Sequence, residues 1–354
     1  MNRFEAFLKA LPGNAALIHR PDNMRWISGY VGEGCIFVSD KAKVIITDFR
    51  YVEQAARTAP GWVCEQTGGS RGGVTEADIV KKLCDQYNIS RLCVETDFVT
   101  YDAYMNLQNT LTAVELFSLK QLPQELRMVK DDYEQDCIRK AAAIADQAFK
   151  NLLTMVHAGM TEKQVARMLE DEMLKLGSER VAFPTISASG PNGSLPHAIP
   201  SDRVIQEGEL LTLDFGARIN GYISDMTRTI GFGKISPELR ELYERVQTAQ
   251  QMALDAIRPG VRCSDVDKVA RDYLDARYPG AFGHSLGHGV GLQVHEQPRL
   301  SPSCDTILAP GHAVTVEPGV YIAGLGGCRI EDTVIVTADG YINTMTAPKQ
   351  LIEL

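Results

Sequence analysis

Residues 210–229 read LLTLDFGARINGYISDMTRT, which is two apolar, β-branched runs on either side of a Gly-containing turn. This pattern predicts a β-hairpin. Each run carries one aspartate, Asp214 or Asp225, where an apolar residue is expected. A single aspartate at such a position is usually a cap or a turn residue. Two buried carboxylates on facing strands are costly unless a cation lies between them, so the pair favours a metal site.

A second copy of the first strand lies further along the chain. Residues 311–319, GHAVTVEPG, repeat residues 208–216, GELLTLDFG, at an offset of 103. The glycines and the threonine coincide, and Glu317 falls on Asp214 (317 − 214). The aspartate position is therefore acidic in both copies.

The second strand is repeated as well. Residues 327–336, GCRIEDTVIV, repeat residues 221–230, GYISDMTRTI, at an offset of 106, so Glu331 falls on Asp225 (331 − 225). The turn of the second hairpin is therefore three residues longer (106 − 103). Four carboxylates brought together by a pseudo-twofold axis would repel one another strongly without divalent metal.

Each hairpin follows a predicted pair of helices, which favours duplication over coincidence. The first helix carries one apolar stripe at steps of four and three, and Gly159 is expected to end it. Its stripe is Ile138, Ala142, Ala145, Phe149, Leu152 and Val156. In the later pair of helices, Ser236 is expected to begin the first helix. A cap near Ser264 is expected to begin the second.

The length of 354 residues allows two domains, each with its own core. A net charge of −9 argues against nucleic acid as the main partner. No apolar stretch reaches the length of a membrane span, and the N-terminus does not resemble a secretory signal. Eight scattered cysteines without a CxxC pair indicate reduced thiols in a cytoplasmic protein.

We expect an α+β protein with an α/β domain at residues 1–125 and a pseudo-twofold domain at residues 126–354. Pro123 and the polar run after it predict the boundary. In the first domain, strands are expected at 15–18, 24–28, 35–38, 44–47 and 91–95, and helices at 51–58 and 76–87. No catalytic pattern is evident there.

Four of the seven histidines lie just upstream of the two hairpins. His197 lies in the turn-rich stretch SGPNGSLPHA, and His284, His288 and His295 lie in GHSLGHGVGLQVHE. A single histidine is most often structural, but three within twelve residues beside repeated carboxylates indicate a site. Glycines on both sides of His288 would let the backbone approach a ligand closely. His19, His157 and His312 lack such neighbours and are expected to be structural.

A site of four carboxylates and an imidazole is rich in oxygen. It suits Mn²⁺ or Co²⁺ better than a metal that prefers thiolates, with Zn²⁺ as a further alternative. Neither HExxH nor a P-loop signature is present. Two adjacent ions can share a hydroxide that is nucleophilic at neutral pH, so the reaction class indicated is hydrolysis.

These motifs resemble the pita-bread metallopeptidases, the family that includes aminopeptidase P, prolidase, methionine aminopeptidase and creatinase. The resemblance rests on TLDFGARINGYISDMTRT, GHGVGLQVHE, TVEPGVY and RIEDT, which occur in that order. NMRWISGY and ITDFRYVEQA, in residues 1–125, resemble the creatinase-type N-terminal domain. Together they are similar to the aminopeptidase P and prolidase branch of the family.

The resemblance implies the role of each site residue. The implied ligands of two divalent ions, most simply Mn²⁺, are Asp214, Asp225, His288, Glu317 and Glu331. Glu317 would also orient or deprotonate the bridging water. His197 and His295 would contact substrate and stabilise charge on the scissile carbonyl. Arg329 would support Glu331 at the substrate site, and His284 would line a pocket for proline.

Arg299, four residues after His295, has two interpretations. In some prolidases an arginine at this place binds the free carboxylate of the substrate, which suits the two parallel hydrogen bonds of a guanidinium. A surface ion pair is the alternative, and short relatives of aminopeptidase P can carry the same residue.

The implied activity is release of an N-terminal residue that precedes proline. The alternatives are a strict Xaa-Pro dipeptidase, a methionine aminopeptidase-like activity, a metal-independent creatinase and a binding module on a reused fold. The complete ligand set argues against the last two. By resemblance alone we expect a homodimer in which the N-terminal domain helps to close the neighbouring active site.

Overall fold

The computed structural model describes residues 3–68 and 73–354. Contacts divide the chain into two units, the first ending at Arg127 and the second running Met128–Leu354. Both units combine helices with sheets, so the expected α+β class is confirmed.

The first unit is built on one mixed sheet. Its strands are β1 (Ala15–Ile18), β2 (Cys35–Ser39), β3 (Lys43–Thr47), β4 (Val63–Gln66), β5 (Arg91–Val94) and β6 (Glu115–Ser118). Their order is β4-β3-β2-β1-β5-β6, with antiparallel pairing of β1 and β3 to β2 and parallel pairing elsewhere. Within the described residues its helices are α1 (Arg3–Ala10), α2 (Pro21–Ser28), α3 (Val52–Thr58), α4 (Glu76–Tyr87), α5 (Tyr101–Thr110) and α6 (Leu122–Arg127). Alternate residues of the strands form one apolar face that packs against α4.

The strand predicted at residues 24–28 is wrong, because these residues lie in α2. Pro21 is the first helical residue, where its fixed φ suits a helix and its missing N–H costs nothing. Gly29, with a φ of 79°, ends the helix and donates its N–H to the carbonyl of Arg25. The five residues 24–28 are too few for their apolar pattern to distinguish a strand from a helix.

The second unit contains two pairs of helices and several small sheets. The helices are α7 (Asp132–Leu152), α8 (Glu162–Lys175), α9 (Pro237–Ala256) and α10 (Cys263–Asp275). The strands of the first half are β7 (Ile186–Ser189), β8 (Leu210–Phe215), β9 (Arg218–Ile219), β10 (Tyr222–Ile223) and β11 (Met226–Gly231). Those of the second half are β12 (Gly287–Gly289), β13 (Glu296–Leu300), β14 (Ala313–Val316), β15 (Gly319–Ile322), β16 (Gly326–Arg329), β17 (Asp332–Val336) and β18 (Tyr341–Asn343).

The two halves have the same order of elements. In the first, the helices α7 and α8 precede β7 and the antiparallel pair β8 and β11; in the second, α9 and α10 precede β12 and the pair β14 and β17. The larger sheets run β11-β8-β7 and β13-β12-β14-β17-β18. The turn of each predicted hairpin is itself a small ribbon, β9 with β10 or β15 with β16.

The register of the two hairpins differs although their sequences match. Thr315 pairs with Thr333 across the second ladder. Their sequence matches are Thr212 and Thr227, but Thr212 pairs with Thr229. The second ladder is therefore shifted by two residues, which keeps every side chain on its own face of the sheet.

Two helix boundaries differ from the sequence-based expectation. α7 ends at Leu152, whereas Gly159 was expected to end it. The N–H of Val156 bonds to the carbonyl of Leu152 at 2.9 Å, so one isolated helical turn continues the apolar stripe beyond the helix. The N-cap residue of α10 is Arg262 rather than Ser264, and its side chain makes no cap hydrogen bond.

The core of the second unit consists of two apolar clusters. One joins α7 and α8 to β8 and β11, and the other joins α9 and α10 to β14 and β17. The five stripe residues that lie within α7 are all fully buried, as the periodicity predicts. In the described parts of the chain, no helix is both long and apolar enough to cross a membrane.

Candidate metal centre

One cavity of the second unit, of about 570 Å³, brings together every side chain proposed from the sequence. Its size falls in the range of about 300–1,000 Å³ that is usual for ligand pockets. The proposed residues that line it are His197, Asp214, Asp225, His284, His288, His295, Arg299, Glu317, Arg329 and Glu331. Phe183, Ile199 and Val294 add an apolar part to its wall.

Strand ends of both halves supply the acidic side chains. Asp214 is the penultimate residue of β8, and Glu317 directly follows β14. Asp225 directly precedes β11, and Glu331 directly precedes β17. His288 is the middle residue of β12. The pseudo-twofold arrangement of strands thus carries these groups to one place.

Three of these groups form a tight cluster. One possible ligand atom from each of Asp225, His288 and Glu331 lies within 4.8 Å of the others. Nε2 of His288 is 3.7 Å from Oδ2 of Asp225 and 3.2 Å from Oε1 of Glu317. Nδ1 of His288 donates to the carbonyl of Gly289 at 3.1 Å, which leaves Nε2 to face the carboxylates.

Burial and mutual repulsion disfavour charge on these carboxylates. Burial raises the pKa of Asp225 and of Glu331 well above the ordinary values, and the neighbouring carboxylates add to the effect. Burial also raises the pKa of Asp214. Glu317 is the exception: burial opposes its ionisation, but the hydrogen bond and charge of His288 lower its pKa to about 2.

The donor set fits divalent cations. Oδ1 of Asp214 is buried and has no hydrogen-bond partner among the described residues. A buried oxygen without a partner costs folding free energy unless a bound ligand interacts with it. Carboxylate oxygens and one imidazole nitrogen, without sulfur, are the donors that Mn²⁺ accepts readily and that Co²⁺ and Zn²⁺ also bind.

Arg329 organises the site through protein contacts. Its Nη2 donates to Oδ2 of Asp214 at 2.6 Å, and its Nε donates to Oγ1 of Thr227 at 3.1 Å. Its Nη1 donates to the carbonyl of Pro196 at 3.1 Å and to the hydroxyl of Tyr321 at 2.8 Å. The guanidinium therefore holds a candidate ligand and the loop that carries His197.

Tyr321 continues this network and was not singled out from the sequence. Its hydroxyl accepts from Arg329 and donates to Nε2 of His284 at 2.9 Å, because Nδ1 of His284 donates to the carbonyl of Ser285 at 2.8 Å. Burial raises the pKa of Tyr321 to about 12, so the hydroxyl keeps its proton. Its only signal was its place at the end of TVEPGVY.

The glycines beside His288 lie against the backbone of the neighbouring strands. A Cβ on Gly287 would overlap the carbonyl oxygen of Thr315, and one on Gly289 would overlap that of Gln297. These glycines therefore allow β14 and β13 to approach β12 closely. Close packing of the three strands fixes the position of the imidazole.

Two further histidines and Arg299 line the cavity and are exposed to solvent. His197 and His295 are exposed, and the ring of His295 meets that of His288 edge-on with centroids 4.4 Å apart. Desolvation of the His295 ring by its neighbours in the cavity, with the nearby charge of His288, lowers the pKa of His295 to about 4. Arg299 lies on β13, is exposed, and has no ion-pair partner among the described residues.

Comparison with known proteins identifies two families along the chain. The model of "Metallopeptidase family M24" matches residues 136–338, and that of the "Creatinase/Prolidase N-terminal domain" matches residues 1–129. A protein named Xaa-Pro dipeptidase from Pyrococcus furiosus is 35% identical over 361 residues, which is 99% of each chain.

Solved structures agree over the full length of the chain. A structure described as Xaa-Pro dipeptidase from Bacillus anthracis has a TM-score of 0.94 and 39% identity, covering 99% of this chain and 98% of that one. An X-Pro aminopeptidase from Thermotoga maritima has a TM-score of 0.91 and 33% identity, covering 99% of this chain and 100% of that one. The resemblance inferred from the motifs is thereby confirmed, and the chain belongs to metallopeptidase family M24, with a creatinase/prolidase N-terminal domain.

Proposed function

We propose that this enzyme hydrolyses the bond between an N-terminal residue and proline, as an Xaa-Pro aminopeptidase. The observation that carries the proposal is the convergence of Asp225, His288 and Glu331 beside Asp214 and Glu317 in one cavity. The names of similar proteins support the specificity, since they are Xaa-Pro dipeptidases and an X-Pro aminopeptidase.

The five candidate ligands would hold two divalent ions, for which we propose Mn²⁺ first and Co²⁺ or Zn²⁺ as alternatives. Asp214 is assigned to one ion, His288 and Glu317 to the other, and Asp225 and Glu331 to both. Bound there, the ions would polarise the scissile carbonyl and lower the pKa of the attacking water.

The chain supplies groups that move and stabilise charge. Oε1 of Glu317 accepts from Oγ1 of Thr315 at 3.0 Å, so Oε2 is the oxygen that we assign as acceptor of a proton from the water. His197 and His295 present exposed rings in the same cavity. We assign them to hydrogen bonds with the substrate, including one to the carbonyl oxygen as it becomes negative.

Proline requires a dedicated pocket because its tertiary amide has no N–H for a general peptidase to bind. The apolar wall formed by Phe183, Ile199 and Val294 offers a surface for the ring. His284 is fixed through both nitrogens, so we assign it a packing role beside that ring.

The test is release of the first residue from Xaa-Pro-Yaa peptides by protein that has been stripped with a chelator and then supplied with Mn²⁺. We expect no turnover without metal, restoration by Mn²⁺ and loss of turnover in Glu317→Gln. Turnover of Met-Ala but not of Xaa-Pro peptides would favour a methionine aminopeptidase, and activity insensitive to chelation would favour a creatinase. Absence of hydrolysis with every metal would refute the proposal.

A strict Xaa-Pro dipeptidase is the second candidate, and Arg299 is the observation that favours it. Its guanidinium lines the cavity without an acidic partner among the described residues, which suits a substrate that ends in a free carboxylate. If Arg299 has this role, Arg299→Ala should raise KM for Xaa-Pro at least about tenfold, with little effect on Xaa-Pro-Yaa-Zaa.

The matched control is Arg262→Ala, which removes an exposed arginine paired with Asp305 instead. Equal losses on the dipeptide and on the longer peptide would rule out the carboxylate contact. Hydrolysis of the dipeptide alone by the unaltered enzyme would replace the aminopeptidase assignment with the dipeptidase. We also propose a homodimer in the cytoplasm, for which light scattering of the purified protein and fractionation of cells are the tests.

A further inference from the structure

A second cluster of metal-binding side chains lies in the first unit, separate from the site described above. His19, Cys35 and Glu76 each offer one donor atom, and these atoms lie within 4.8 Å of one another. We propose that they bind one transition-metal ion of the zinc class. This site is independent of the proposed peptidase activity.

The fold brings the three side chains together from three elements. β1 and β2 are antiparallel with Ile18 opposite Ile36, so the next pair along the same register is His19 and Cys35 (18 + 36 = 19 + 35). Side chains of such cross-strand pairs point to the same face and lie close together. Glu76, the first residue of α4, reaches this pair, and Nε2 of His19 lies 2.8 Å from its Oε1.

The chemistry of the donors suits a borderline-soft ion. Imidazole nitrogen, thiolate sulfur and carboxylate oxygen together match Zn²⁺ and Co²⁺, whose bonds to such ligands are about 2.0–2.3 Å long. Donors at these bond lengths are about 3.3–3.8 Å apart, which side-chain movement can reach from the present cluster. Water would complete a four-coordinate site.

Burial and access also fit an ion. Cys35 is fully buried, whereas the side chain of Glu76 is 36% exposed, so an ion can enter from the side of the carboxylate. The thiol of Cys35 must lose its proton to solvent when the ion binds, and the sulfur then becomes a thiolate ligand. Nδ1 of His19 is buried without a partner among the described residues, so no second hydrogen bond locks the ring against a small shift towards the ion.

The hydrogen-bonded cluster without metal is the alternative, with the imidazole and the thiol both facing Glu76. The test is optical titration of the metal-stripped full chain with Co²⁺. Sulfur-to-cobalt charge transfer absorbs in the near ultraviolet, and the five candidate ligands of the second unit contain no sulfur. A charge-transfer band that appears with one additional equivalent of Co²⁺ and requires Cys35 therefore reports this cluster.

We expect the band in the unaltered protein and in Cys93→Ser, which alters another buried cysteine of the same sheet. Cys35→Ser should abolish the band and lose one equivalent of Co²⁺. His19→Gln, at a partly exposed position, should fold normally and weaken Co²⁺ binding at this site at least about tenfold. A folded, unaltered protein without the band, a band that persists in Cys35→Ser, or unchanged Co²⁺ affinity in His19→Gln would overturn the proposal.

A different observation supports a second inference, which concerns Glu162 and rests on the proposed role of His197. Glu162 is fully buried at the start of α8. Its carboxylate accepts from the N–H and hydroxyl of Ser189 at 2.7 and 2.9 Å, and from those of Ser201 at 3.1 and 2.6 Å. It also accepts from Nδ2 of Asn192 at 3.1 Å.

These partners bracket the loop that carries His197, with Ser189 before it and Ser201 after it. We infer that Glu162 is a positioning residue for His197. A carboxylate suits this position because every partner is a donor, whereas the amide group of a glutamine would place two N–H donors among them. The helix start adds a favourable field for the negative charge.

The test is a double-mutant cycle on Xaa-Pro-Yaa hydrolysis. We expect Glu162→Gln to lower kcat/KM about tenfold or more in the unaltered enzyme, and to have little further effect in His197→Ala. The control is Asp146→Asn, which alters another buried carboxylate that accepts backbone N–H groups, those of Thr346 and Ala347. Asp146→Asn should lower the stability of the protein. Any effect it has on kcat/KM should simply add to that of His197→Ala, with no coupling between the two changes.

Independent losses from Glu162→Gln and His197→Ala in an active enzyme would refute the positioning role. An inactive unaltered enzyme would instead refute the proposed function, so the two failures can be told apart.

Discussion

Four carboxylates share one cavity with the buried guanidinium of Arg329, and this imbalance of charge dominates the site. Arg299 lines the same cavity but is exposed, so the only buried guanidinium among the cavity residues faces four carboxylates and cannot neutralise them. Burial raises the pKa of Asp225 and Glu331 well above the ordinary values. The metal-free form is therefore under electrostatic strain that divalent ions would relieve. The carboxylates that would bind the ions are therefore the groups that destabilise the folded protein when no ions are bound.

Asp225→Asn tests this trade-off, because it removes one negative charge while keeping the shape of the side chain. In chelator, we expect the variant to be more stable than the unaltered protein by about 1–3 kcal/mol at pH 7. With Mn²⁺, the unaltered protein should gain about 2.7 kcal/mol at a hundredfold excess over Kd, and the variant much less. Thermal unfolding in chelator and in Mn²⁺ measures both, and a variant that is less stable in chelator would contradict the argument.

His312 gives a pH dependence that is separate from the metal site. It is buried, its Nδ1 accepts the N–H of Ala309 at 3.3 Å, and burial with the nearby charge of Lys130 lowers its pKa to about 4. Between pH 6.5 and about 4 the unfolded chain binds a proton at this residue and the folded chain does not. This residue therefore lowers stability as the pH falls through that range, by up to about 3 kcal/mol.

His312→Gln removes the titration and keeps an acceptor for Ala309. Urea unfolding of both proteins at pH 7 and pH 4 should show a smaller loss of stability in the variant. Equal losses in the two proteins would mean that His312 is protonated in the folded chain as readily as in the unfolded one.

At the scale of elements, the position of His288 depends on how closely β12 approaches its neighbours. A Cβ at Gly287 would overlap the backbone of Thr315, which cannot move without displacing β14. Gly283 lies in the same segment, has an ordinary φ, and has no atom within 4 Å of an added Cβ. The chain thus offers a matched pair of glycines, one confined and one in open space.

We expect Gly287→Ala to shift His288 and to weaken Mn²⁺ binding at least about tenfold, as loss of a supporting contact does in other metal sites. Gly283→Ala should bind Mn²⁺ like the unaltered protein. Isothermal titration of the two folded variants makes the comparison. Comparable affinities would show that the strand can move without cost to the site.

The elements also explain what could be predicted from the sequence. Repeated acidic positions and helix stripes are local patterns, so the duplication and the helix pairs were predictable. The strand expected at residues 24–28 was wrong because Pro21 and Gly29 define a short helix. The role of Glu162 depends on contacts with residues up to 39 positions away, which no local pattern contains.

The whole second unit is coupled through its candidate ligands, because both halves of the duplication contribute. Asp214 and Asp225 come from the first half, and the other three ligands come from the second. Each half has its own apolar cluster, so either could open locally without the other. An ion that requires ligands from both halves is lost when either half opens, and binding therefore stabilises both.

Amide hydrogen exchange tests this coupling. Saturation with Mn²⁺ at a hundredfold excess over Kd should slow exchange up to about a hundredfold in β8 and β11 and in β14 and β17 alike, wherever exchange requires an opening that releases the ions. Asp214→Asn, which changes a ligand in the first half only, should reduce the protection in β14 and β17 as well. Protection confined to one half, or unchanged protection of the second half in this variant, would mean that the two halves bind ions independently. Joint protection would instead make the metal centre the element that joins the duplicated halves into one cooperative unit.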